Sequence, residues 1–431
     1  MTRYETQLSL FPDDAKAPSA EASSTFSGNL GLPIHRWFRY SAGFSALWVS
    51  ELIEREKAQG RSHVLDPLCG SGTVLLEGER SGLECIGVEA HPFVARVAQA
   101  KLHWRECPKK LREFALGVLD EAEALESEPT GYPALIHKCF PKKVLVRLDA
   151  LRKSLERVAD DSPYSELTWL ALASILRESS PVGTAQWQYV LPNKTKARAR
   201  DPYVAFGAKV SLMCQDMVNR QSLPFGPKAA LVAEDAREGL SIPERWADLV
   251  ITSPPYANNY DYADATRLEM SFFGLVQGWG DLQESVRKHL VRSCTQHVSK
   301  LGPETYKIAR GPLLEPIQGD LLRVCERLDA AKESHGGKKP YHAMVAAYFS
   351  DMAKVWRCLR RVTAEGCLVC FVVGDSAPYG VHVPVENWLG QLAVAAGFKS
   401  YTFEKTRDRN IKWKNRKHRV PLQEGRLWVQ G

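Results

Sequence analysis

Residues 248–256 constrain the fold more than any other stretch, because an apolar run of strand composition leads directly into Ser253, Pro254, Pro255 and Tyr256. Proline has a fixed φ and no N–H, so this loop is rigid, and its carbonyls and its serine hydroxyl remain available as hydrogen-bond acceptors. Such acceptors suit an amino group on a flat ring, on whose face the tyrosine could stack. The pattern predicts a buried strand followed by a loop that holds one planar group, although a proline turn after a core strand would look the same.

A second pattern of strand, glycine turn and helix contains Asp66, Gly70, Ser71 and Gly72. This combination forms a nucleotide-type site at the carboxyl edge of a parallel sheet. The third glycine of a dinucleotide fingerprint is missing, which disfavours a pyrophosphate ligand. The next apolar run ends in Glu89, at the position from which ribose hydroxyls are held.

Together these motifs resemble those of the S-adenosylmethionine-dependent DNA amino-methyltransferases, of the cytosine-N4 and adenine-N6 type. The sequence Thr-Ser-Pro-Pro-Tyr, which ends at Tyr256, is similar to their catalytic loop, and Asp66, Gly70, Gly72 and Glu89 match their cofactor motifs. In that family Ser-Pro-Pro-Tyr is commoner among cytosine-N4 enzymes, and Asp-Pro-Pro-Tyr among adenine enzymes. The resemblance implies an α/β fold, with a Rossmann-like sheet that is mostly parallel, an antiparallel last strand and helical insertions.

The resemblance also implies two further cofactor contacts. Phe44 lies in the segment that precedes the cofactor loop and would touch the methionine end of S-adenosylmethionine. Asp235 ends another strand and would accept a hydrogen bond from the adenine amino group. Core packing of this aromatic segment and capping of a turn by Asp235 are the structural alternatives.

The composition is that of an ordinary globular protein: 431 residues, 44% hydrophobic and 25% charged. A net charge of +7 agrees with a polyanionic partner without requiring one. No signal peptide or membrane-length apolar run occurs and the ten cysteines lack paired spacing, so we expect a cytoplasmic protein. Cys367 and Cys370 lie in an apolar strand and would face opposite sides, so we interpret them as core residues and predict no metal site.

The apolar patterns predict six segments. Residues 106–228 show helical periods but no strand pattern, and their basic stretch at 193–200 favours a grip on DNA over a solvated face. The predicted segments are a disordered tail (1–28), the cofactor-binding half (29–105), a helical insertion for target recognition (106–228), the catalytic half (229–276), a second insertion (277–340) and the end of the catalytic sheet (341–431).

Two segments are predicted to bind partners. In the tail, Gln7, Leu8, Leu10 and Phe11 resemble the short peptide that docks on the bacterial DNA sliding clamp, although a chance match would look the same. Residues 405–419 form the densest basic cluster, which suits phosphates, unless it is only a solvated hairpin tip. Its candidate nucleic-acid contacts are Lys405, Arg407, Arg409, Lys412, Trp413, Lys414 and Arg416.

The predicted reaction is transfer of a methyl group to the N4 amino group of cytosine in duplex DNA, with the target base flipped out of the helix. A cognate restriction enzyme would then be a partner. No Pro-Cys dipeptide occurs, which argues against attack at the ring carbon. The alternatives are an adenine-N6 DNA methyltransferase, an RNA amino-methyltransferase and, least favoured, a DNA-binding module without activity.

Overall fold

A computed structural model describes residues 26–185, 188–196, 198–334, 336–337, 339–409 and 420–431. Within these ranges there are two sheets, one of seven strands and one of two. The strands are β1 (His63–Asp66), β2 (Glu84–Val88), β3 (Val182–Thr184), β4 (Val190–Thr195), β5 (Ala230–Val232), β6 (Ala247–Thr252), β7 (Thr363–Gly374), β8 (Ser400–Arg409) and β9 (Leu422–Gln430).

Helices connect the strands and form both insertions. The α-helices are α1 (Ala46–Lys57), α2 (Thr73–Ser81), α3 (Pro92–Lys101), α4 (Pro108–Ala124), α5 (Ala134–Cys139), α6 (Lys142–Val158), α7 (Pro163–Ser179), α8 (Pro202–Gln221), α9 (Tyr262–Ala265), α10 (Arg267–Phe272), α11 (Trp279–Ser285), α12 (Thr305–Ala309), α13 (Gln318–Ser334), α14 (Tyr341–Val362) and α15 (Val385–Ala395). Short 3-10 helices span Phe26–Gly31, His35–Trp37, Leu102–Arg105, Arg287–His289, Thr295–Val298, Gly302–Glu304, Pro312–Ile317 and Pro378–Gly380.

The large sheet has the strand order β5-β2-β1-β6-β7-β9-β8. Strands β5, β2, β1, β6 and β7 pair in parallel, whereas β9 is antiparallel to both of its neighbours. This arrangement confirms the predicted α/β fold, with a mostly parallel sheet and an antiparallel last strand. The last two strands, β8 and β9, form an antiparallel pair at one edge of the sheet.

The central strands are covered on both faces, as expected for a parallel sheet between helical layers. In β6, Leu249 and Ile251 contribute to one apolar core, and Val250 contributes to the other. The first core is shared with α1, α3 and the first insertion, and the second with α13, α14 and α15. On the second face the ring of Trp356 stacks on Phe371, with centroids 4.3 Å apart.

The first insertion is a helical bundle that also contains a β-hairpin. Helices α4, α6, α7 and α8 pack on one another, and α7 packs on α3 of the sheet domain. The expectation that residues 106–228 lack sheet is therefore wrong, because β3 and β4 pair in an antiparallel manner. These strands have only three and six residues, and apart from Val182 and Val190 most of their side chains are exposed, so no alternating apolar period is present.

A fully buried carboxylate connects this insertion to the N-terminal segment. Asp216 of α8 accepts hydrogen bonds from the Ile34 backbone N–H (3.2 Å), from Trp37 Nε1 (2.9 Å) and from Arg36 Nε (3.0 Å) and Nη2 (2.5 Å). A buried charge is tolerated when it is paired and hydrogen-bonded in this way. The insertion and the segment that leads into α1 are thus one packed unit.

Two short helices, α9 and α10, follow the Ser-Pro-Pro-Tyr loop. They meet at Thr266, whose hydroxyl is hydrogen-bonded to His91 Nε2 at 2.9 Å. Asp261 caps α9, because its Oδ1 accepts from the N–H groups of Ala263 and Asp264.

Some predicted segments lie outside the described residues. They include the clamp-like peptide with Gln7, Leu8, Leu10 and Phe11, and the hairpin residues Lys412, Trp413, Lys414 and Arg416. In the described part of the chain no helix is long and apolar enough to span a membrane.

Replacement of Asp216 by alanine should destabilise the protein by about 3–5 kcal/mol, because it leaves the Arg36 guanidinium and the Trp37 indole N–H without their buried acceptor. Urea unfolding followed by circular dichroism measures this change in the free energy of unfolding. The exposed neighbour variant Gln215→Ala is the control. Equal stability of the two variants would show that the buried carboxylate does not hold the insertion in place.

Candidate functional site

The two sequence motifs meet in one cleft at the carboxyl edge of the sheet. Strands β1 and β6 are neighbours, so the turn after β1 and the loop after β6 emerge side by side. The cleft encloses about 610 Å³, open solvent included. It brings together five residues named from the sequence: Gly70, Glu89, Asp235, Ser253 and Pro255.

Other residues complete the cleft. Most of them come from the segment before α1, from the start of α3 and from the second insertion. Sequence patterns gave no reason to choose the second insertion, because its contribution depends on how a polar segment folds back over the sheet edge. The additional lining residues are Tyr40, Ala42, Leu68, Ala90, His91, Glu234, Ala236, Tyr262, His289, Leu290 and Val291.

Glu89 organises the glycine turn. One of its oxygens accepts the Gly70 N–H and the other accepts the His91 N–H, both at 2.8 Å. Gly70 has φ +53°, and a Cβ at this position would lie 3.2 Å from the Tyr40 ring. The turn therefore favours glycine both for its left-handed conformation and for the close approach of Tyr40.

A second buried carboxylate lies behind the turn. Asp66 Oδ1 accepts the Leu68 N–H at 3.2 Å, whereas Oδ2 has no hydrogen-bond partner within the described residues. Burial raises the pKa of the Asp66 carboxyl and that of the Glu89 carboxyl to about 7. Each would gain from a nearby cation or hydrogen-bond donor that favours its ionised form.

The charge of the cleft fits a cationic ligand. Its lining includes the carboxylates of Glu89, Glu234 and Asp235, and no lysine or arginine among the described lining residues. Burial lowers the pKa of His91 to about 4, so its imidazole is neutral. A cleft of this charge would repel a pyrophosphate but would attract the sulfonium and ammonium groups of S-adenosylmethionine. The unpaired oxygen of Asp66 and the tight glycine turn agree with that ligand.

The loop after β6 presents acceptors toward this cleft. The Ser253 hydroxyl donates its hydrogen to the Val372 carbonyl at 3.3 Å, which leaves the lone pairs of the oxygen available. Pro254 is buried beside it, and the Tyr256 N–H donates to the Tyr262 hydroxyl at 3.3 Å. The loop is thus braced on both sides by contacts that leave the Ser253 oxygen free to accept.

A guanidinium lies over the Tyr256 ring. Arg409 of β8 has its Cζ 5.1 Å from the ring centroid, and its Nη1 donates to the Asp375 carbonyl at 2.7 Å. A Cβ on Gly374 would lie 2.7 Å from Nη1, so this glycine leaves the space that the guanidinium occupies. The basic hairpin and the Ser-Pro-Pro-Tyr loop are therefore in direct contact.

The hairpin of the first insertion packs on the same loop. The Tyr189 ring stacks on Tyr260 with centroids 5.5 Å apart, and the Tyr260 ring meets Tyr262 edge-on at 4.6 Å. The Asp261 N–H donates to the Tyr189 hydroxyl at 2.7 Å. This aromatic contact connects the insertion to the segment that follows the Ser-Pro-Pro-Tyr loop.

Four predicted cofactor contacts do not line the cleft: Asp66, described above, and Phe44, Ser71 and Gly72. Phe44 is buried, with its ring 5.9 Å from that of Trp48, as the core-packing alternative expected. Ser71 is buried in the turn, where its carbonyl accepts from Lys101 Nζ at 3.3 Å. Gly72 is the left-handed N-cap of α2. These residues shape the cofactor turn from behind rather than facing the cleft.

Several predicted polar contacts are already engaged within the protein. Asp235 lines the cleft, but both of its oxygens accept from Arg237. Arg407 pairs with the buried Glu424 at 2.8 Å, and Lys405 pairs with Asp408 at 2.7 Å. These pairings reduce the positive charge that the described part of the hairpin presents.

The basic stretch of the first insertion is also paired, in this case with α7. Lys196 donates to the Arg177 carbonyl, and Arg200 forms an ion pair with Glu178 at 2.7 Å. These two cations are therefore less available to phosphates than their sequence spacing indicated.

Comparisons with known proteins give concordant relatives, although no family model matches the chain. The chain is 26% identical to the type II methyltransferase M.BsoBI of Geobacillus stearothermophilus over 453 residues, which cover 93% of this chain and 86% of the relative. It is 24% identical to the type II methyltransferase M.AvaI of Nostoc sp. strain PCC 7120 over 404 residues, covering 87% and 81%, and equally similar to M.AvaI of Anabaena variabilis.

The alignments cover most of each chain, so the similarity is not confined to the two motifs. It agrees with a mostly parallel sheet that ends in an antiparallel strand. The cofactor that fits this cleft is S-adenosylmethionine, and the chain is similar over most of its length to type II methyltransferases.

Proposed function

We propose that this protein transfers a methyl group from S-adenosylmethionine to the N4 amino group of cytosine within a specific sequence of duplex DNA. The observation that carries the proposal is the presence of Ser253 and Pro255 in the same cleft as Gly70 and Glu89. A methyl donor held by the glycine turn and an amino group held by the Ser-Pro-Pro-Tyr loop would then lie next to each other.

The acceptors of the loop suit the chemistry of an exocyclic amino group. The nitrogen is a poor nucleophile because its lone pair is delocalised into the ring. The Ser253 oxygen and the Pro254 carbonyl would each accept one of its N–H groups and draw it toward tetrahedral geometry. The lone pair would then point at the sulfonium methyl, and positioning would supply most of the rate enhancement.

The chain's part in the reaction is to bind, orient and exclude water. When bound, S-adenosylmethionine supplies an electrophilic methyl group on its sulfonium. The amino nitrogen, held by the loop, would take this methyl group as the carbon–sulfur bond breaks with its electron pair left on sulfur, and would then release its proton to solvent. Glu89 would hold the ribose hydroxyls of S-adenosylmethionine, and Asp235 would hold its adenine amino group. The negative charge of Asp66 would attract the cationic methionine end of the cofactor.

Duplex DNA hides the amino group, so the target base must rotate out of the helix to reach the cleft. Tyr256 would stack on the extruded base while Arg409 supports the tyrosine ring. The bundle and hairpin of residues 106–228 would read the target sequence. The tail peptide containing Leu10 and Phe11 would dock on the sliding clamp, and a cognate restriction enzyme would be the natural counterpart of this activity.

Product analysis tests the substrate. The purified protein should incorporate labelled methyl groups into unmodified duplex DNA and not into total RNA, and digestion should release N4-methylcytosine. Chromatography of the nucleosides distinguishes it from N6-methyladenine, which the same acceptor pair could also produce. Labelled methyladenine would contradict the choice of cytosine, and label confined to RNA would contradict the choice of DNA.

The Ser253→Ala variant should lower kcat by about 10²–10³-fold, because it removes one of the two acceptors that act on the reacting nitrogen. Its affinity for S-adenosylmethionine, measured by isothermal titration calorimetry, should remain that of the wild type. Ser174→Ala in α7 is the control and should retain full activity. An unchanged kcat in Ser253→Ala would remove the assigned role of the hydroxyl.

Affinity for S-adenosylmethionine should increase from pH 6 to pH 8. Burial raises the pKa of Glu89 and of Asp66 to about 7 in the free protein, so both are largely protonated at pH 6 and ionised at pH 8. If the cofactor binds only the ionised carboxylates, ionisation of Glu89 and of Asp66 should each raise the affinity for S-adenosylmethionine by up to about tenfold.

Calorimetry at several pH values measures this dependence. Glu89→Gln should flatten the pH profile as well as weaken binding, whereas Glu84→Gln, at the exposed start of the same strand, should preserve both. A wild-type affinity that is independent of pH would contradict the requirement for ionised carboxylates.

Substitutions at Arg409 and Lys405 should have different effects. Arg409→Gln should lower kcat because it removes the support of the Tyr256 ring, and Gly374→Ala should have the same effect by displacing the guanidinium. Lys405→Gln, on the same strand, breaks only an exposed ion pair with Asp408 and should instead raise the KM for DNA and reduce its salt dependence. Steady-state kinetics at two salt concentrations separates these effects, and identical behaviour of the Arg409 and Lys405 variants would refute the distinction.

A further inference from the structure

We propose that Asp261, Cys294 and His297 bind a Zn²⁺ ion that joins the second insertion to the catalytic loop. One oxygen, one sulfur and one ring nitrogen from these side chains lie within 4.8 Å of one another, and all three residues are buried. Carboxylate, thiolate and imidazole together form a ligand set typical of zinc.

His297 gives the clearest indication that a ligand is missing. Its side chain is 1% exposed, yet within the described residues neither of its ring nitrogens has a hydrogen-bond partner. A buried polar group without a partner is costly, and an unrepresented ion is one of its ordinary explanations. The nearest charged group is Asp261, whose Oδ1 lies 3.7 Å from His297 Nε2. This separation is too long for a hydrogen bond but close to that of two ligand atoms on one ion.

The chain holds these residues in place before any ion binds. Cys294 and His297 stand three residues apart on one 3-10 turn, where the His297 N–H donates to the Cys294 carbonyl at 3.2 Å. Asn259 attaches this turn to the catalytic segment, because its Oδ1 accepts from both the N–H and the hydroxyl of Thr295 at 2.9 and 2.8 Å. Ligands presented by a rigid turn lose little conformational entropy on binding.

Arg287 orients the carboxylate. Its Nη2 and Nε donate to Asp261 Oδ2 at 2.5 and 3.1 Å, so this oxygen is fully engaged while Oδ1 faces His297. Metal-bound carboxylates are commonly held in this way by a partner on the second oxygen. Oδ1 also accepts the two long capping bonds of α9, at 3.2 and 3.3 Å, and these would weaken as the ion binds.

The cysteine determines which ion would fit. A thiolate excludes Mg²⁺ and Ca²⁺, which prefer oxygen ligands, and favours Zn²⁺. Burial raises the pKa of the Cys294 thiol to about 12, so binding of the ion would release its proton. Three protein ligands leave a fourth tetrahedral position, which a water molecule would occupy.

The position of the cluster indicates a structural role. Asp261 is flanked by Tyr260 and Tyr262, and the Tyr262 hydroxyl accepts the Tyr256 N–H. An ion here would hold the start of α9 against residues 294–297 and would stiffen the loop that presents the amino-group acceptors. The site is separate from the methyl-transfer cleft, so the inference does not depend on the identity of the methylated base.

Metal analysis of the full-length, untagged protein tests the site. After treatment with a chelator and dialysis, the wild type should bind one Zn²⁺ per chain in competition with a chromogenic indicator. Co²⁺ in its place should give the near-ultraviolet band of thiolate-to-metal charge transfer. Zn²⁺ should also raise Tm, because it binds the folded state only.

Loss of a hydrogen-bond partner of a metal ligand commonly weakens metal binding ~10–100-fold. Cys294→Ser and His297→Gln remove a ligand itself, so each should weaken Zn²⁺ binding by more than this. Cys325→Ser, a buried cysteine in α13 of the same insertion, is the matched control and should retain the ion, the cobalt band and the rise in Tm.

A wild-type protein that takes up no Zn²⁺, or whose cobalt complex lacks the charge-transfer band, would overturn the proposal. So would a folded Cys294→Ser protein that retains one tightly bound Zn²⁺. If Cys294→Ser does not fold, the wild type and His297→Gln decide together: the cobalt band shows a cysteine ligand, and its loss in His297→Gln places that ligand beside His297.

Discussion

The glycine turn depends on the two hydrogen bonds that the half-buried Glu89 carboxylate accepts from the N–H groups of Gly70 and His91. A carboxylate that is partly withdrawn from water is costly unless donors surround it, so these bonds fix three elements at once. They hold the end of β2, the glycine turn after β1 and the first residue before α3. The proposed contact with the ribose hydroxyls would use the same carboxylate, so that one group would both shape the turn and offer the ligand its acceptor.

Negative and positive side chains occupy different parts of the site. The cleft floor carries Glu89, Glu234 and Asp235, whereas Arg409 lies over the Tyr256 ring at its edge. A cationic methyl donor and a polyanionic acceptor require opposite fields, and this arrangement separates them over a short distance. The moderate net charge of +7 conceals this division, because it is a sum over both regions.

The fold and the core of the site were predictable because each motif carries its own local geometry. A strand that ends in Asp66 and another that runs into Ser253 must emerge at one edge of a parallel sheet. The remainder depends on tertiary contacts that no local pattern encodes. His289 reaches the cleft from a polar insertion, and Asp216 joins segments about 180 residues apart. The Cys294 and His297 spacing was visible in the sequence, but its third member, Asp261, was not recognisable as a partner.

Under the proposed role of the first insertion in target recognition, the contact between Tyr189 and Asp261 constrains how this protein could acquire a new target sequence. No side chain from the described part of the hairpin lines the cleft, yet the Tyr189 hydroxyl accepts the N–H of the residue that caps α9. Transplantation of an insertion from a relative would therefore exchange part of the scaffold of the catalytic segment as well. Modular recombination can succeed only where this aromatic joint and the Asp216 anchor are carried along, so specificity would evolve more readily by point changes on the bundle surface than by wholesale exchange.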